Sequence, residues 1–124
     1  VDAVVPSGHA VYSRVDAPEP VDLRFAVGRS TLTQEHRFVL RGLAEDAGAW
    51  TLEVAGLASP EDAARANEAL AGDRARAVAA ALVAAGLPES QVRLAPPVVA
   101  EDGISDPAAW RAARITPVPP AEAP

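Results

Sequence analysis

Apolar and polar residues alternate cleanly over Val21 to Phe25, with Val21, Leu23 and Phe25 on one side and Asp22 and Arg24 on the other. This pattern predicts a strand. Val11, Ser13 and Val15 alternate with Ala10, Tyr12 and Arg14, so His9 to Asp16 also reads as a strand, set apart by the breaker Ala17-Pro18-Glu19-Pro20. Thr33 is a good N-cap, and Val39, Leu43 and Ala47, with Leu40 beside them, recur at helical spacing up to Gly48. Glu35 in the first turn suits the helix dipole. Trp50, Leu52 and Val54 then alternate with Thr51, Glu53 and Ala55, which predicts a second strand ending at Gly56.

Ser59-Pro60-Glu61-Asp62 has the order of a helix start: a capping serine, a proline at the first helical position and two acids in the first turn. The predicted helix continues to Ala85, with Leu70, Ala77, Ala81 and Ala85 as one stripe and Val78 and Leu82 beside it. Gly86 and Pro88 mark its stop. Val92 and Leu94 bracket Arg93 in a short strand, Ala95 to Pro107 reads as loop, and Ala108 to Ala113 as one helical turn. Arg114 to Val118 reads as a closing strand, and Pro119 to Pro124 as a Pro/Ala-rich tail. The fold class expected is α/β: a small mixed β-sheet with two main helices on one face. Residues 1–20 are an N-terminal arm with an edge strand, residues 21–118 the domain, and residues 119–124 the tail.

Composition narrows the function. The chain has 124 residues, enough for one domain, and 49% are apolar, so it should fold. Aromatics are only 4%, which leaves a core of Val, Leu and Ala. A net charge of −6 argues against nucleic acid as a partner, since phosphate binding needs a basic surface. No cysteine is present, which removes disulfides and thiolate metal sites. No apolar run reaches the length of a membrane span. The start at Val1, without a signal peptide, reads as a processed or truncated end.

Candidate chemistry is sparse. His9 and His36 lack companions at metal-ligand spacing, Ser59 lacks the glycines of a nucleophile elbow, and Glu101, Asp102 and Asp106 lack the order of a calcium loop. No cofactor is expected, and no enzyme. Arg74 and Arg76 point to different faces of one helix. Arg76 can pair with Asp73. Arg74, at the apolar edge, either snorkels to water or presents its fork to a carboxylate.

Several motifs together resemble the OmpA C-terminal-like family, a periplasmic module that binds peptidoglycan. They are Ser30-Thr31-Leu32-Thr33, then Leu52 to Gly56, then Asn67, Leu70, Arg74-Ala75, Val78, Leu82 and Gly86 at the family's spacing, and Arg111 to Val118. The resemblance spans about Val21 to Val118 and implies the fold already predicted. It also implies a site in which an Asp and an Arg hold the diaminopimelate of the peptide stem. Here the Arg is Arg74, the Asp position carries Ser59, the signature's Ser is Ala71, and Asp62 replaces a glycine. The degenerate peptidoglycan-binding set implied is therefore Ser59, Asp62, Asn67, Arg74 and Arg114. Losing one charged hydrogen bond costs on the order of 1.5–3 kcal/mol.

The chain is also similar to the CpaD family of tight-adherence pilus assembly proteins. The likeness rests on His9, Pro20-Val21-Asp22-Leu23, Leu32-Thr33 and the run Ala84 to Pro88. This implies a non-catalytic accessory or scaffold protein of the periplasm, associated with the outer membrane, whose partners are a secretin or other outer-membrane or pilus proteins. The alternative implied is a divergent peptidoglycan-binding anchor that uses Arg74, Asn67 and Asp62.

Overall fold

The computed structural model describes residues 19–60, 66–100 and 106–120. In chain order the elements are β1 (Val21–Arg24), α1 (Gln34–Asp46), β2 (Thr51–Ala58), α2 (Asn67–Ala84), β3 (Val92–Leu94), β4 (Val98–Val99) and β5 (Ala112–Val118). Short 3-10 turns at Glu89–Gln91 and Pro107–Trp110 lead into β3 and β5. The sheet order is β1-β5-β2-β3, with β4 pairing separately onto β2. β5 is antiparallel to both neighbours, whereas β3 and β4 are parallel to β2. The expected mixed sheet with two main helices is what forms.

Side chains alternate across the sheet. Leu23, Leu52, Val54, Ala113 and Ile115 face the helices and join Leu40, Leu43, Ala47, Val78 and Leu82 in one core. Asp22, Glu53, Arg93 and Arg114 face the other way, onto an open polar surface. There Arg114 pairs with Asp22, and Arg93 with Glu53. Hydrogen bonding to Asp22, aided by its charge, raises the Arg114 pKa above the usual guanidinium value.

Helix α1 starts where expected. The Thr33 hydroxyl accepts from the His36 amide, and the His36 ring Nδ1 accepts from the Thr33 amide. The other ring nitrogen, Nε2, then carries the hydrogen donated to the Arg24 carbonyl, 2.8 Å away. His36 thus locks the end of β1 to the start of α1.

Several expectations change. β4 forms within the expected Ala95–Pro107 loop, and β5 starts at Ala112, inside the expected helical turn over Ala108 to Ala113, which is confined to Pro107–Trp110. β2 runs past Gly56 to Ala58. α2 is described from Asn67, with Ala66 as N-cap and no side-chain cap bond; the expected start at Ser59 to Asp62 falls partly on residues 61–65, outside the described ones. The buried stripe of α2 is Ala71, Arg74, Ala75, Val78 and Leu82, not Leu70, Ala77, Ala81 and Ala85. The reason lies in Gly56. A Cβ there would fall on the carbonyl of Ala71, so the strand and the helix backbone touch directly at this point. That contact turns the helix so that Ala71, rather than Leu70, meets the sheet. At the other end the stop at Gly86 holds. Gly86 has φ 113°, its amide donates to Val83, and the Leu87 amide donates to Leu82, which forms a Schellman cap. The N-terminal strand expected over His9 to Asp16 lies outside the described residues.

Candidate ligand-binding corner at Arg74

Arg74 projects from the buried stripe of α2 into the corner between the end of β2 and the β1–α1 loop. It is fully buried. Its Nε donates to the Arg29 carbonyl at 2.8 Å, Nη1 to Leu57 at 2.9 Å and Nη2 to Ala26 at 3.2 Å. The guanidinium carbon lies 5.3 Å from the centroid of the Phe25 ring.

The local chain explains this arrangement. The β1–α1 loop turns back at Ala26, whose carbonyl also accepts from the Arg29 amide. The carbonyls of Ala26 and Arg29 then face inward without a sheet partner. Part-buried carbonyls are best matched by donors, and a planar guanidinium supplies several from one rigid group. Burying the cation costs several kcal/mol, and each charged hydrogen bond returns about 1.5–3 kcal/mol. The net gain is small. The sensitivity is larger, because removing the arginine would take its donor from the buried Leu57 carbonyl and from the part-buried carbonyls of Arg29 and Ala26, the last of which keeps the Arg29 amide.

The other candidate residues are dispersed. Ser59 follows β2, is fully buried, and stands two residues beyond Leu57, so it belongs to the same corner. Asn67 is half-buried at the first position of α2. It lies two helical turns before Arg74 on the same side, about 10 Å along the axis. Asp62 lies outside the described residues. Arg114 does not join them. It points from β5 onto the open face of the sheet, where it is paired with Asp22. Arg74 does not snorkel to water; it is buried and turns its fork to main-chain carbonyls. The carbonyls of Ala26, Arg29 and Leu57 define the corner yet leave no side-chain signal.

Beside this corner a shallow groove is lined by Arg24, Phe25, Arg29, Thr31, Thr33 and His36. Among the described residues, no group of three or more His, Asp or Glu could hold a metal ion, and no helix is long and apolar enough to cross a membrane. The corner offers a held cation and its hydrogen-bond donors.

The sequence profile described as the OmpA family matches residues 24–114. The chain belongs to the OmpA family. Solved structures of the same fold include the OmpA-like domain of FopA1 from Francisella tularensis subsp. tularensis SCHU S4, at 24% identity and TM-score 0.63, covering 85% of this chain and 75% of that one. The peptidoglycan-associated lipoprotein from Burkholderia pseudomallei is 20% identical with TM-score 0.65, covering 78% and 89%. The C-terminal domain of Helicobacter pylori MotB is 14% identical with TM-score 0.65, covering 83% and 87%. Among curated protein sequences nothing matches this chain. Within this OmpA-family fold, Arg74 sits on the helix and Ser59 on the strand end that the resemblance assigns to the ligand pair.

Proposed function

We propose that this OmpA-family domain is a non-catalytic module of the periplasmic cell envelope that works as a scaffold. It acts through protein contacts in an outer-membrane assembly, with tight-adherence pilus biogenesis the leading case. The observation that carries this reading is the state of Arg74. The guanidinium is fully buried and donates to three backbone carbonyls. A ligand carboxylate would have to displace those bonds and open the corner. Ser59 in turn offers no charge to a ligand ammonium.

Purified sacculi containing diaminopimelate test this directly. The domain should show no saturable co-sedimentation. Saturable binding that free diaminopimelate competes away would overturn the scaffold reading. Purification of the full-length protein from envelope extracts should bring down a secretin or another outer-membrane protein.

A second reading, a divergent peptidoglycan anchor, has its own support in the family membership and in the likeness to a peptidoglycan-associated lipoprotein. It uses Arg74 and Asn67, with Asp62 as the compensating acid. Competition by diaminopimelate is its expected result.

A further inference from the structure

His36 holds one joint of the fold with a ring that can change its charge. Nδ1 accepts from the Thr33 amide at 3.1 Å, the His36 amide donates to the Thr33 hydroxyl at 3.0 Å, and Nε2 lies 2.8 Å from the Arg24 carbonyl. Glutamate or glutamine ordinarily fills this third helical position of a capping box. Neither can become a cation. Histidine does so in the range between about pH 5 and 8. A second proton on this ring has one place to go, Nδ1, where it would meet the hydrogen of the Thr33 amide. The bond to Thr33 is therefore made in neutral and alkaline solution and lost in acid.

The surroundings decide which side of the ring lets go. A charged ring in the first turn of α1 opposes the helix dipole. The charged side chains on the elements around it are Arg24 on β1, Arg29 in the loop, Glu35 and Arg37 on α1, Arg74 on α2 and Arg111 before β5. Asp22 is turned to the open face and taken by Arg114. One acid thus stands against five guanidiniums among the described residues. On the other side, an imidazolium strengthens the bond from Nε2 to the Arg24 carbonyl and the contact with the Phe25 ring, whose centroid is 5.1 Å away. The ring stays with β1, and the Thr33 side opens.

The loop between these two anchors, residues 25–32, carries the carbonyls of Ala26 and Arg29 that accept from Arg74. Phe25 touches both sites, since the Arg74 guanidinium carbon lies 5.3 Å from the same ring centroid. We propose that His36 is a pH-sensitive latch: its neutral ring joins the β1–α1 loop to helix α1, and protonation of Nδ1 opens that joint and loosens the loop that seals Arg74. One proton then gives the corner two states. In the sealed state Arg74 holds main-chain carbonyls; in the looser one water and small carboxylates reach the guanidinium. The latch acts on access to the corner and does not depend on which partner the domain takes.

NMR on the whole chain tests this. The chain has two histidines and no cysteine, so few groups change charge in this range. In neutral solution the His36 ring should show the tautomer with its hydrogen on Nε2. As the ring is protonated, exchange protection of the Thr33 amide and of the loop amides should fall about fivefold, the ratio set by one lost cap bond. Protection here is taken after the intrinsic pH dependence of exchange is divided out. The Arg74 Nε hydrogen should lose protection over the same range. His36→Gln keeps an acceptor for the Thr33 amide without the charge and should abolish the fall, whereas His9→Gln should leave it unchanged. The opposite tautomer, or protonation of His36 with protection unchanged, overturns the latch from the unmutated chain alone. A fall that persists in His36→Gln, one that vanishes in His9→Gln, or one that stops at Thr33 without reaching Arg74 overturns it as well.

Discussion

Two arginine-centred regions lie on opposite faces of the same sheet and use the residue in opposite ways. At the helix-side corner, Arg74 is sealed from water and holds three carbonyls from two segments of chain. On the open face, Arg114 forms a two-pronged contact with Asp22, with distances of 3.0 and 3.2 Å, and more than half of its side chain stays exposed. The open-face pair has the better-matched charges, yet it is the weaker contributor, because water and salt compete for both partners. The difference teaches that an arginine's worth is set by what its removal would leave unsatisfied.

The comparison can be broken most forcefully at the contact that places the corner. Gly56→Val would drive a side chain into the Ala71 carbonyl. It should remove more than about 4 kcal/mol of stability, close to the whole margin of a small domain. Urea denaturation, or loss of soluble protein, checks this. Arg74→Met keeps much of the volume but removes the donor to the Leu57, Arg29 and Ala26 carbonyls, of which only Ala26 keeps another. It should cost about 3 kcal/mol, since each orphaned buried group costs about 1–3 kcal/mol and water recovers part. A loss below about 1 kcal/mol in the same titration would mean that the corner admits solvent freely.

Thr33→Ala removes the acceptor for the His36 amide and tests whether the β1–α1 loop is also held from its far end. About 1 kcal/mol is expected, read as a fall in the thermal midpoint. Asp22→Asn should cost less than about 1 kcal/mol, and the effect should shrink further in high salt. The Arg114 pKa is raised on folding, so its contribution is fully present below the ordinary guanidinium value. It is lost only as pH climbs through the raised folded value. Stability measured across neutral and mildly alkaline solution should therefore show no loss from this pair.

Much of the fold was legible in the sequence. Val21, Leu23 and Phe25 alternate, Thr33 caps, and Gly86 stops a helix; each of these is a local signal with a local cause. The face of α2 was not legible, because an alanine-rich helix has apolar residues nearly all round and its rotation is set by a distant glycine, Gly56. Arg74 and Ser59 were identifiable as candidates by spacing. The burial of Arg74 was not, because its partners are main-chain carbonyls of residues whose side chains do not announce them. Arg114 was grouped with the others by its place in the closing strand. A period of two along that strand puts it, with Asp22, on the face away from the helices.

The sheet order carries a consequence for how the molecule is made. Among the described strands β5 comes last in sequence, yet it is inserted between β1 and β2, which come first. Until residues 112–118 leave the ribosome, or the far side of any pore through which the chain is threaded, β1 and β2 have no common neighbour and the core lacks Ala113 and Ile115. Closure of the sheet therefore waits for residues 112–118 and relies on contacts of long sequence separation, which form slowly. A nascent chain with this topology stays open, and so remains threadable, until that strand arrives.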